Sequence, residues 1–341
     1  MYETITPDTW SGRTDTPVHE TNKRWHQIIQ YADLSGDLPV CGPDQSCISF
    51  LGFCSDEGVR RNQGRPGAFQ GPRSLRKACA NLAVHFDTPV RLVDAGDVVC
   101  RDRDLEQAQR ILGDHVRTLL DAGFFTILMG GGHEIAYGHY LGIAAHCRNR
   151  AENGKIGIIS FDAHFDLRPS GKGASSGTPF YQIAEWCRAR QRDFSCLCIG
   201  VQEEANTISL YETADRLGVF HISTRDMENP ASVVRRINHY IKDKTRLYLT
   251  VCLDVFAAPF APGVSAISGG GLLPGAVFPL IDRIMASGKV ISCDVAELNP
   301  EYDTDNRTAK LAAAVIYRMA MGKIRSRRKQ PEFGKNRRRR L

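Results

Sequence analysis

Short apolar runs separated by helical stretches constrain this chain more than any other feature. The runs fall at residues 47–53, 90–93, 125–129, 156–161, 196–199, 219–222, 247–253 and 290–295, and each reads as a strand. Between the second and third lie Leu105, Ala108, Ile111, Leu112, Val116, Leu119 and Leu120, apolar residues at three- and four-residue spacing that mark an amphipathic helix. Further helical stretches are expected at 72–83, 134–147, 181–190, 231–242 and 308–321. Several strands are apolar at nearly every position, which suits a parallel sheet covered on both faces. The expectation is an α/β protein, a three-layer αβα sandwich with a central, mainly parallel sheet of about eight strands.

At 341 residues the chain is long for one domain, but large α/β sheets reach such lengths as one unit. No internal repeat or low-complexity linker divides it. Residues 1–45, with Pro7, Pro17, Pro39 and Pro43, read as an irregular wrap, 46–322 as the main folded domain and 323–341 as a disordered basic tail. With 42% hydrophobic and 24% charged residues the composition is that of a globular protein. No apolar run approaches the roughly 18 residues that a membrane span needs. The N-terminus has neither a basic start nor an apolar core, so a cytoplasmic protein is expected, and its 11 cysteines read as thiols.

The formal charge of +6 belongs to the tail. Residues 323–341 carry ten basic side chains against one acid, Glu332, a net +9 that leaves −3 on residues 1–322. Such a block reads as a solvated extension, and no nucleic-acid partner is expected.

Ligands of open parallel sheets sit beyond the carboxyl ends of the strands, so the polar residues there bear most directly on function. The third run ends in Gly130-Gly-Gly-His133-Glu134, where the glycines permit a sharp turn that leaves His133 at the strand mouth. The fourth ends in Asp162-Ala-His164-Phe-Asp166, whose period of two points three potential ligands one way if the backbone stays extended. The seventh ends in Cys252-Leu-Asp254. Each Asp taken singly is as well explained as a helix cap, and a lone His as a hydrogen-bonded core residue. Several carboxylates at one end of neighbouring strands would repel one another unless a cation neutralised them, and the combination therefore points to a metal site.

These three blocks resemble the signatures of the arginase (ureohydrolase) superfamily, and within it those of its formimidoylglutamase branch. Supporting stretches are Trp10-Ser-Gly-Arg13, Arg24-Trp-His-Gln27, the segment from Phe53 to Arg65, Ser176-Gly-Thr-Pro, Ala261-Pro-Gly-Val-Ser265 and Glu297-Leu-Asn-Pro300, so the likeness spans about residues 9–321. The resemblance implies an arginase-like fold, a homo-oligomer (trimer or hexamer) and two Mn(II) ions per chain. It implies hydrolysis of a small-molecule substrate, N-formimidoyl-L-glutamate, to L-glutamate and formamide by a hydroxide held between the ions. His133, Asp162 and Asp166 would hold one ion and Asp162, His164 and Asp254 the other; Asp166 would also orient the hydroxide or take its proton, and Glu297 would hold the amidinium end. Cys252 departs from the pattern, since the family usually has a second bridging aspartate there. A thiolate suits Zn or Cu(I) better than Mn(II), and the second ion is the less secure for it. Cys252 is expected within reach of Cys54 as a disulfide partner whose oxidation blocks metal loading.

Substrate binding is expected from Arg168, Asn62, Arg65 and Ser176, because a guanidinium fork matches a carboxylate. Phe180 falls where arginases place a catalytic histidine, which argues against arginase proper. Two rival readings stand beside this one: another amidine or guanidine ureohydrolase, agmatinase- or arginase-like, and a metal-poor non-catalytic relative, for which Cys252 is the supporting feature.

Overall fold

The computed structural model describes residues 1–42, 44–86, 88–148 and 155–328. In chain order its first elements are β1 (Tyr2–Glu3), β2 (Ile29–Tyr31), β3 (Ser46–Cys54), α1 (Glu57–Arg61), α2 (Gly71–Ala80), β4 (Val90–Val99), α3 (Leu105–Asp121), β5 (Phe125–Met129), α4 (Ile135–Arg148) and β6 (Ile156–Phe161). They continue with α5 (Pro179–Arg188), β7 (Cys196–Val201), α6 (Ile208–Leu217), β8 (Phe220–Ser223), α7 (Pro230–Lys242), β9 (Arg246–Cys252), α8 (Pro274–Ala286), β10 (Val290–Ala296) and α9 (Arg307–Arg328). The sheet runs β1-β4-β3-β5-β10-β9-β6-β7-β8, with β2 also on β4. Every pairing is parallel except that of β1 with β4.

Alternate residues of each strand feed two cores. Ile48 and Phe50 of β3 join α2, α7, α8 and α9 on one face, and Leu51 and Phe53 join α3, α4, α5 and α6 on the other. Helix α3 starts on Asp104, whose side chain accepts from Gln107 N at 2.9 Å, and buries the expected stripe from Leu105 to Leu120 except Ile111, which is half-buried. The eight expected strands are present, and β1 and β2 add two short ones from the segment expected to be irregular. That segment is tied down at depth: Trp10 Nε1 donates to Asp94 at 2.6 Å, and the same carboxylate receives the fully buried Arg76.

Three expectations about termini and cysteines need correction. Residues 323–328 belong to α9, where Ile324 and Ser326 are buried; Ile324 carries the apolar face of the helix past 322, so the basic charge begins on a packed helix. The remainder of the expected tail, 329–341, lies outside the described residues. Cys41 and Cys47 form a disulfide across a turn that brings their Cα atoms to 6.1 Å, so they are not thiols. Cys54 and Cys252 are both free. Strands β5 and β10 lie between β3 and β9, a separation of roughly 14 Å at about 4.8 Å per strand, far beyond disulfide reach.

No helix among the described residues is long and apolar enough to cross a membrane.

Candidate metal centre and substrate cleft

Each candidate ligand leaves the carboxyl end of a strand. His133 follows β5, Asp162 to Asp166 follow β6, Cys252 and Asp254 close β9, and Glu297 follows β10. Because β5, β10, β9 and β6 are neighbours in that order, these ends converge.

The glycines before His133 serve close approach rather than a turn, for none of the three has a positive φ. Gly131 N donates to Phe53 O and Gly132 N to Ser55 O, and a Cβ on Gly131 would lie 1.8 Å from Ser55 O. The loop after β5 is thereby pressed onto the loop after β3, which leads to Asn62 and Arg65. The segment after β6 is likewise not extended. It bends at once, and Asp166 takes a left-handed conformation with φ 51°. The three side chains meet because of that bend, not because of a strand alternation. Glu297 is also left-handed, at φ 71°. Strained backbone at two residues of one cleft is a frequent mark of a functional site.

The geometry divides into two groups that share Asp162. His133 Nδ1 lies 2.8 Å from Asp162 Oδ2 and 2.9 Å from Asp166 Oδ2. His164 Nδ1 lies 3.4 Å from Asp162 Oδ1 and 3.2 Å from Asp254 Oδ2. Ligand atoms of Asp162, His164 and Asp254 fall within 4.8 Å of one another, and so do those of His133, Asp162 and Cys252. Cys252 thus faces the shared carboxylate from the His133 side.

Buried charge dominates this region. Burial disfavours an ionised Asp162, but the hydrogen bonds and charge of His133 and His164 outweigh it and hold the carboxyl below its usual range. Burial and then Asp162 push Asp166 up to about 6 and raise Asp254. Burial, reinforced by Glu134 and Asp254, raises Glu297 well above the ordinary value. Burial and the surrounding carboxylates do the same to the Cys252 thiol. A region that opposes ionisation of so many acids is one that a cation relieves. The donor set fits a metal of the Mn(II) kind: two imidazole nitrogens turn inward among three carboxylates, with Asp162 fully buried between them.

Outside this set lies a network that sequence reasoning missed. His133 Nε2 is 2.9 Å from Thr250 Oγ1, whose hydroxyl donates to Asp294 Oδ1 at 2.5 Å. Asp294 Oδ2 also receives Tyr248 Oη at 2.5 Å and faces His139 Nδ1 at 2.6 Å. The signal was the Thr-x-Cys-x-Asp alternation of β9, which puts Thr250 on the same face as Cys252. His139 is a buried core residue. Phe180 is also fully buried and sets its ring edge against the His133 imidazole, at 5.5 Å between centroids and 83°.

A cleft of about 340 Å³ opens above the ligands. Its walls include His133, His164, Asp166, Cys252, Asp254 and Glu297, and its rim Asn62, Arg65, Arg168 and Ser176. All four expected substrate residues are therefore brought to one opening. Arg65 is held in place by the protein: Nε donates to Ser265 O at 3.0 Å, Nη2 to Val264 O at 2.5 Å, and the guanidinium stacks 4.1 Å over Tyr302. Arg168 is exposed, and among the described residues its guanidinium makes no hydrogen bond or ion pair. Glu297 Oε1 accepts from His133 N at 2.8 Å, and Oε2 is buried without a partner.

Potential ligands gathered at the ends of neighbouring strands define a candidate metal centre, and the chain belongs to the arginase family of C–N hydrolases, which it matches over residues 46–322. Its relatives include the formimidoylglutamase of Chromobacterium violaceum, 46% identical over 314 residues that cover 91% of this chain and 96% of that protein. The formimidoylglutamase of Clostridium tetani is 41% identical over 321 residues, 93% of this chain and 94% of that protein. Among solved structures, the formimidoylglutamase of Bacillus subtilis superposes with a TM-score of 0.78 at 19% identity, covering 92% and 94% of the two chains. The family's fold binds a dinuclear metal, and two groups of potential ligands that share Asp162 lie in this cleft.

Proposed function

We propose that this chain hydrolyses N-formimidoyl-L-glutamate to L-glutamate and formamide with two Mn(II) ions. His133, Asp162 and Asp166 surround one position, with Cys252 alongside, and Asp162, His164 and Asp254 the other. The observation that carries the reading is the pairing, in one cleft, of two ligand groups sharing a carboxylate with an unpartnered guanidinium, Arg168, at the rim.

When bound, the ions supply a water of lowered pKa as nucleophile and neutralise the buried carboxylates. The protein's own residues do the rest. Arg168 takes a substrate carboxylate in a charge-assisted bond, and Asn62 and Ser176 offer neutral donors beside it. Glu297 Oε2 accepts from the amidinium nitrogen, an anion facing a cation in a dry wall. Asp166, held close to His133 Nδ1, takes a proton from the attacking water and returns it to the leaving amine of glutamate. Phe180 offers no proton and keeps water from the His133 side.

A side-by-side assay of the Mn(II)-loaded protein with formimidoylglutamate, arginine and agmatine tests the substrate. Release of glutamate from the first with little turnover of the others supports the reading; comparable or better turnover of arginine or agmatine overturns it.

A further inference from the structure

At the opposite end of the sheet from the metal centre, a pocket of about 210 Å³ opens where β3, β5 and β10 begin. Strand β5 alone puts on the order of 15 Å between it and His133, so nothing in the pocket belongs to the catalytic cleft. Its walls carry Lys323 and Arg327 from α9, His146 from α4 and the Ser46 hydroxyl side chain, and among the described residues no carboxylate lines it.

Lys323 and Arg327 stand four residues apart on one helix face and bring two positive charges to the pocket wall. Lys323 is partly buried, its Nζ sits 5.1 Å from the centre of the Phe125 ring, and it makes no ion pair among the described residues. Burial, with Arg327 adding to it, lowers its affinity for a proton. Arg327 donates to the carbonyl of Gln45, and His146 Nδ1 lies 2.6 Å from Asp121 Oδ1, so both are held by the protein while facing the pocket. The end of a helix favours cations, but that effect acts at the last carbonyls and provides nothing for an ammonium turned toward a cavity.

We propose that this pocket binds a small oxyanion, a phosphate or a carboxylate, with Lys323 as its principal contact and Arg327, His146 and Ser46 around it. Phosphate and carboxylate share the chemistry that a lysine and an arginine recognise, a compact negative group accepting charge-assisted hydrogen bonds.

The test is acylation of Lys323 in the full chain, followed by peptide mass spectrometry in inorganic phosphate, in acetate, and in chloride at matched ionic strength. With a dissociation constant of about 1 mM, about 10 mM of the bound anion leaves roughly a tenth of the amine free and slows acylation about tenfold relative to chloride. Protection by phosphate alone assigns a phosphate-type ligand, and protection by acetate as well assigns a carboxylate; both support the site. Equal rates in all three salts overturn it. Thermal unfolding of Lys323→Met adds a second measure: loss of the phosphate-dependent rise in Tm seen in the unaltered chain supports the site, and an equal rise in both overturns it.

Discussion

The Thr250 hydroxyl lies 2.9 Å from His133 Nε2 and gives its own hydrogen to Asp294. Its oxygen is therefore left to accept from the ring, which assigns the His133 proton to Nε2 and turns Nδ1 toward Asp162 and Asp166. Partners of this kind that orient a ligand are typically worth 10- to 100-fold in metal affinity, by the order of magnitude found when they are removed. Thr250→Val keeps the shape and removes the acceptor. We expect Mn(II) affinity to fall by about tenfold or more with little change in Tm; titration calorimetry measures it, and unchanged affinity would show that the ring is held by packing alone.

Arg168 is the cation at the cleft rim that the protein leaves unpartnered. Truncating it to Met removes a charge-assisted contact of about 1.5–3 kcal/mol, so kcat/KM for formimidoylglutamate should fall roughly 10- to 100-fold. The loss should sit mainly in KM. A variant with unaltered KM would exclude Arg168 from substrate recognition and return the task to Arg65, whose fork is already engaged with Val264 and Ser265.

Gly131 tests the reading of the Gly-Gly-Gly-His block. A methyl there would meet the Ser55 carbonyl, which is backbone and cannot step aside cheaply. Gly131→Ala should cost about 1–3 kcal/mol of stability through overpacking and lower metal affinity as well, because the loop it displaces carries His133. Denaturant unfolding and metal titration of the same variant check the two effects together.

Without a metal, both imidazoles of the centre hold a proton more strongly than an ordinary histidine. Burial disfavours the charged rings, but Asp162 and Asp166 outweigh it at His133, and Asp254 and Asp162 push His164 up to about 12. At neutral pH an incoming ion has to displace those protons. Metal uptake should therefore release about two protons per chain, and affinity should rise with pH between about 6 and 8. Calorimetry in buffers of different ionisation enthalpy reads the number directly, and a buffer-independent enthalpy would contradict it.

The sheet and most of the centre could be read from sequence because both rest on local patterns. Fully apolar runs mark buried parallel strands, and Asp162, His164, Asp166 and Asp254 stand out as polar residues at their ends. What stayed hidden depends on order and bending. The distance between Cys54 and Cys252 is decided by β5 and β10 entering between their strands, and no local pattern of β3 or β9 records that. The convergence of Asp162 and Asp166 comes from a left-handed Asp166, a conformation with no strong residue signature beyond the tolerance of Asp for it. Strands β1 and β2, of two and three residues, are too short to show a period. Helices α6 and α8 leave little trace in the sequence: α6 shows a polar and exposed surface around Ile208, and α8 opens on Pro274 and carries Pro279, which breaks a helical pattern.

The central claim is that one carboxylate, Asp162, serves two ion positions. Electron paramagnetic resonance of the reduced, Mn(II)-loaded chain tests it most directly, together with metal analysis. Two Mn(II) per chain with an exchange-coupled spectrum, both lost in Asp162→Ala, is the result expected. One Mn(II) per chain with an uncoupled six-line spectrum, or a largely empty protein that hydrolyses no amidine, would contradict it.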